Sequence, residues 1–221
     1  MSFTEAVPIL ILISFILFLF IAVSSLTIIE LIGNFFFLKG DYSNVINIFS
    51  FYLKFENFFG DKRVFLAGKS KIGIAQYNLG DHKRAEESLT QSITVALEDM
   101  KMSEFEKNLN LTFDSDDIFE ITFMTPADSE SFRPEYGIGY AKPLLGSYFY
   151  RAKIRLISQN CDFALRDLRN AQMLSFALND KTMQTQIKDL ARELRLLMIK
   201  EGNWNEEYFP DVEIEEYKSN T

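Results

Sequence analysis

Ile32-Gly33-Asn34-Phe35-Phe36-Phe37-Leu38-Lys39-Gly40-Asp41-Tyr42 returns forty residues later as Ile72-Gly73-Ile74-Ala75-Gln76-Tyr77-Asn78-Leu79-Gly80-Asp81-His82. In each stretch a glycine stands seven positions ahead of a Gly-Asp turn, apolar residues surround it, and a second amphipathic segment follows. A fixed offset of this kind marks a repeated helix-turn-helix unit, which buries its apolar face by stacking on the next unit. The pattern points to an all-α repeat scaffold rather than to a catalytic pocket.

Around these stretches the chain resembles the tetratricopeptide repeat (TPR) family. Ile29, Ile32, Gly33 and Phe36 fill the first helix of one copy, Gly40-Asp41-Tyr42 its turn, and Val45, Phe49 and Tyr52 its second helix. The next copy has Ile72, Gly73, Tyr77 and Leu79, then Gly80-Asp81-His82, then Ala85, Leu89 and Ser92. A third is read at Tyr148, Ala152, Leu156, Ala164, Leu168 and Ala171. Its turn, Ser158-Gln159-Asn160-Cys161, lacks the Gly-Asp signature, and Arg151 and Arg155 stand where the family has apolar residues. Small residues at Gly33, Gly73 and Ala85 allow close helix approach, and larger residues fill the gaps between turns.

Working outward, residues 6–29 carry no charge, and as a helix these 24 positions would be about 36 Å long at roughly 1.5 Å per residue. That length crosses a hydrocarbon core of about 30 Å, so residues 1–30 read as a transmembrane anchor. A cleaved signal peptide is the alternative, because Ala22-Val23-Ser24 supplies small residues at a suitable place. The apolar run continues to Leu38, too long for one untilted span, and the excess must pack on something else. The first basic residue is Lys39, which under the positive-inside rule favours a cytoplasmic domain.

The net charge of −8 is segregated: residues 98–135 carry −8, residues 136–200 carry +6 and residues 201–221 carry −6. Such blocks dock electrostatically, within the chain or onto a partner, and two acidic blocks argue against nucleic acid. The acidic insertion, residues 101–136, alternates Phe, Ile and Thr with polar residues in the manner of a short hairpin or extended segment, and Pro126 and Pro134 bar a long helix. Lys181 to Lys200 reads as a terminal helix covering the last repeat, with Lys188, Arg192, Arg195 and Lys200 on its outer side. The tail, residues 201–221, combines Trp204, Tyr208, Phe209 and Tyr217 with seven acids, a composition suited to docking on the basic helices or elsewhere.

The expected organisation is therefore an anchor (1–30), repeats one and two (31–100), a non-helical acidic insertion (101–136), repeat three with its capping helix (137–200) and an acidic aromatic tail. The one cysteine, Cys161, rules out an internal disulfide, and one histidine, His82, rules out paired-histidine zinc spacing. No Gly-rich phosphate loop and no Gly-x-Ser-x-Gly elbow occur, so neither enzyme, cofactor nor small-molecule substrate is expected. What remains is binding. By the resemblance, partners lie along the first helices, where Lys71, Tyr77 and Asn78 in repeat two and Tyr150 and Lys153 in repeat three are expected exposed; Trp204, Tyr208 and Phe209 join them as partner-binding candidates. These do not reproduce the Lys/Asn/Arg carboxylate clamp of cochaperone members of the family. Richness in Phe, Ile, Asn and Lys suggests an AT-rich bacterial genome, and by size, architecture and composition the chain is similar to small membrane-anchored repeat proteins of spirochaete flagellar collars. That likeness implies a periplasmic domain on the bacterial inner membrane, with other subunits of the complex as partners.

Overall fold

In the computed structural model, which describes residues 27–59, 62–101, 112–114, 117–120 and 138–202, each Gly-Asp stretch joins two antiparallel helices. The order is α1 (27–38), α2 (Tyr42–Phe59), α3 (Lys62–Asn78), α4 (His82–Lys101), β1 (Thr112–Asp114), β2 (Asp117–Glu120), α5 (Ile138–Ile157), α6 (Cys161–Ala177) and α7 (Lys181–Glu201). The expected all-α class is what the chain adopts. Among the described residues the extended ones are β1 and β2, which pair antiparallel with Thr112 opposite Glu120 and Asp114 opposite Asp117.

The Gly-Asp pair ends one helix and begins the next. The Gly40 N–H donates to the Phe37 carbonyl at 3.1 Å and the Asp41 N–H reaches back to Phe36 at 3.0 Å; Gly80 and Asp81 repeat both bonds on Tyr77 and Gln76 at 3.0 Å. This double closure needs a left-handed residue, and Gly40 (φ 72°) and Gly80 (φ 80°) supply it without a Cβ penalty. The aspartate then caps the following helix: Asp41 Oδ1 accepts from the Asn44 N–H and Asp81 Oδ1 from the Arg84 N–H, each at 3.3 Å. One dipeptide thereby satisfies orphan carbonyls of one helix and orphan amides of the next.

The same closure occurs at two places without the dipeptide. Between α5 and α6, Gln159 donates to Leu156 at 3.0 Å and Asn160 to Arg155 at 2.8 Å. Between α6 and α7, Asn179 donates to Phe176 and Asp180 to Ser175, both at 2.9 Å. Gln159 (φ 58°) and Asn179 (φ 50°) take the left-handed position. Asp180 caps α7 through the Met183 N–H at 3.0 Å, whereas Asn160 makes no side-chain cap on α6.

Packing between paired helices follows the small-residue spacing. A Cβ on Gly33 would lie 2.6 Å from the Phe49 ring, and one on Gly73 would lie 2.6 Å from Leu89 and 3.2 Å from the Ala85 carbonyl. Sixteen residues separate the partners in both hairpins, and the same spacing in the third sets Ala152 against the place of Leu168, both buried. The acidic insertion interrupts the sequence between α4 and α5 without interrupting the stack, because α5 packs on both α3 and α4. Ser70 Oγ donates to the Pro143 carbonyl at 2.9 Å, Ser92 and Ser147 hydroxyls lie 3.0 Å apart, and a Cβ on Gly146 would touch Ile74. The largest apolar cluster runs from Leu66 and Ile93 through Tyr148, Phe149 and Leu168 to Leu190, Leu194 and Met198, so α7 covers α6 as a terminal helix should.

No helix among the described residues is long and apolar enough to cross a membrane. The segment expected as an anchor falls outside the described residues up to position 26, as do residues 102–111, 115–116 and 121–136 of the insertion and the tail from position 203.

Candidate interaction face

The side chains proposed from sequence on α3 and α5 meet one another. Tyr77, near the end of α3, meets Tyr150 of α5 edge-on with ring centroids 5.2 Å apart, and lies tilted against His82 across the turn at 5.4 Å. Lys153, one turn beyond Tyr150, sets its ammonium 5.8 Å from the Tyr77 ring, 5.5 Å from Tyr150 and 4.9 Å from Phe149. Lys71 reaches the other way, 4.3 Å over the Phe37 ring of α1, and Phe37 in turn meets Tyr42 edge-on at 6.0 Å. Phe37, Tyr77 and Tyr150 all rest on one apolar base of Ile74, Ala85, Leu89 and Ile154. Residues from three helices thus form a continuous aromatic strip topped by two ammonium groups.

This corrects one expectation. Lys71, Tyr77, Tyr150 and Lys153 are half-buried rather than exposed, because each spends one side on its neighbours; Asn78 alone is exposed. Asn78 is also committed locally, its Nδ2 donating to the Ile74 carbonyl at 2.8 Å. Trp204, Tyr208 and Phe209 lie outside the described residues. Reading by repeat position missed Phe37 and Tyr42. They occupy the same places beside their turn as Tyr77 and His82 beside theirs, so aligning the two copies residue by residue would have found them.

Partial burial changes the chemistry of the strip. Burial, reinforced by the nearby Lys142 charge and opposed by Glu30, lowers the Lys71 pKa. Burial raises the phenols of Tyr77, with Glu193 adding to it, and of Tyr150, with Tyr42 and Tyr77 adding to it. Ammonium groups already stripped of part of their hydration lose less on meeting a carboxylate, and ring faces offer flat apolar area with little conformational cost. The face is suited to a protein surface carrying aromatic and acidic side chains.

A second polar cluster lies beneath the outer surface. Arg151 grips Asp167 with two bonds of 2.8 and 2.6 Å and donates to Thr90 Oγ1 at 3.1 Å. Arg155 donates to Asp167 at 2.9 Å and to Glu86 at 3.1 Å. Burial alone would lower Arg151, but the charge and hydrogen bonds of Asp167 outweigh it and hold the guanidinium above its ordinary value. Burial pushes the Asp167 carboxyl up, while Arg151 and Arg155 pull against that shift. Tyr148, fully buried beside them, is raised by burial above all. The two arginines are therefore cross-links between α4, α5 and α6. This arrangement braces the helices.

Scanned against protein-family models, the chain matches none, and a search of curated proteins finds no match to it.

Proposed function

We propose that the chain is a membrane-anchored, tetratricopeptide-type scaffold, a structural or assembly subunit of a larger bacterial envelope complex, which engages a partner protein through its first-helix face. The observation that carries this reading is the convergence of Phe37, Tyr77, Tyr150, Lys71 and Lys153 from three helices onto one half-desolvated strip. Such a strip, rigidly held over a buried base, gives a partner aromatic anchors and charge selection together. The uncharged run at residues 6–29 supports anchorage. Assembly into a flagellar motor collar is a narrower form of the same proposal and rests on the resemblance in size and composition.

A second reading, a chaperone-like or regulatory module that holds client peptides transiently, draws support from the charge segregation of the chain. Salt separates the two. A permanent subunit extracted in detergent retains a stoichiometric partner at about 1 M salt, where the screening length falls to about 3 Å, and Tyr150→Ala abolishes the retention. Release as salt rises favours the client module. Failure to retain any stoichiometric partner at low salt contradicts the scaffold reading.

A further inference from the structure

α1 is apolar on two opposite sides. One side, Ile29, Gly33, Phe36 and Phe37, packs into the hairpin core, with Gly33 against the Phe49 ring. The other side carries Ile28, Leu31, Ile32, Phe35 and Leu38 at spacings of three and four, between 44% and 87% exposed. Five large apolar side chains in one stripe on so short a helix form a contiguous patch of the kind that marks an interaction surface. The polar groups Glu30 and Asn34 fall at its border, and Lys39 at its end lays its ammonium 4.3 Å over the Phe35 ring.

Sequence and helix length together name the occupant. No acid or base occurs between Glu5 and Glu30, so the stripe begins where the uncharged run ends. From Val7 to Leu38 the chain as one helix would measure about 48 Å at roughly 1.5 Å per residue, well beyond a core of about 30 Å. The surplus must leave the core. An exposed apolar stripe with a polar border is the pattern of a helix lying in the plane of the lipid interface.

We infer that α1 lies along the bilayer surface with Ile28, Leu31, Ile32, Phe35 and Leu38 in lipid, while its opposite side carries the helical array. The inference rests on the proposed membrane anchorage and adds an orientation to it: the array is mounted on the membrane through α1 rather than hung from a free linker. The first-helix strip then stands at a fixed height above the lipid.

The test uses the full chain reconstituted into phosphatidylethanolamine–phosphatidylglycerol vesicles, with a single added cysteine carrying an environment-sensitive fluorophore. Cys161 is buried and stays in place, with the chain lacking an added cysteine as the labelling control. Brominated lipids should quench the probe several-fold more at positions 28, 31, 35 and 38 than at positions 30 and 34, and more than at the exposed apolar position 196. Position 16 in the uncharged run serves as the internal standard, and unchanged helical circular dichroism confirms folding. Quenching at position 16 without quenching along the stripe overturns the inference and leaves anchorage standing. Absence of quenching at both overturns anchorage too. Shielding of the stripe that follows protein concentration rather than lipid assigns the surface to a second copy and also overturns it.

Discussion

Gln159 holds the left-handed backbone position that Gly40 and Gly80 hold in the other two hairpins, at φ 58° against 72° and 80°. A side chain there costs roughly 1–2 kcal/mol in backbone sterics, part of which glycine returns as unfolded-chain entropy. Gln159→Gly is therefore expected to stabilise the fold by about 0.5–1 kcal/mol, and Gly80→Ala to destabilise it by about 1 kcal/mol. Urea unfolding of the two variants checks the opposite signs. At this scale the sequence was legible where chemistry and geometry coincide: glycine announces a positive φ and aspartate announces a cap. It was silent at Gln159, because a turn enforced by the packing of its two helices does not need the residue that local preference would choose.

Between elements, the principal polar tie is the cluster of Glu86 and Thr90 on α4, Arg151 and Arg155 on α5, and Asp167 on α6. Asp167 receives both arginines, so Asp167→Asn leaves a buried guanidinium without its counter-charge and is expected to cost about 3–5 kcal/mol. The paired replacement Arg151→Met with Asp167→Leu removes both desolvated charges and should lie much closer to wild type, which a double-mutant cycle in urea measures. From sequence, Arg151 and Arg155 looked like departures from an apolar pattern, and their i, i+4 spacing gave the only hint that they act together. Asp167 could not be paired with them in advance, since the pairing depends on how α6 crosses α5. Helix faces built from small residues were more readable: Gly33 and Phe49, then Gly73 and Leu89, share one spacing because close axes need a gap and a filler at fixed distance.

Across the whole molecule, the charge blocks suggested docking within the chain or onto a partner, and Arg151 and Arg155 in the basic block are used internally by Asp167 and Glu86. The array also has an alkaline weakness. Tyr148 is raised by burial from its ordinary 10.0, so in the folded chain the phenol stays neutral where the unfolded chain ionises. Below pH 10 neither state is charged and nothing is lost; as pH rises past 10 the unfolded state gains, by up to about 1.4 kcal/mol per pH unit for this group. Tyr77 and Tyr150 act in the same direction, and Lys71, lowered by burial, acts in the opposite one. Urea midpoints measured between pH 9 and 11.5 should fall less steeply for Tyr148→Phe than for wild type.

At the same scale, the proposed anchorage, the aromatic strip and the stacked hairpins lead to one proposal: that the molecule presents its first-helix face to a partner. A photo-crosslinking residue placed at Tyr150 in the full chain, in intact membranes, tests that claim most directly, with Leu196 on the outside of α7 as the comparison. One dominant adduct is expected from position 150, reduced at least several-fold by Lys153→Glu and absent from position 196. Equal adducts from both positions, or none from position 150, would contradict it.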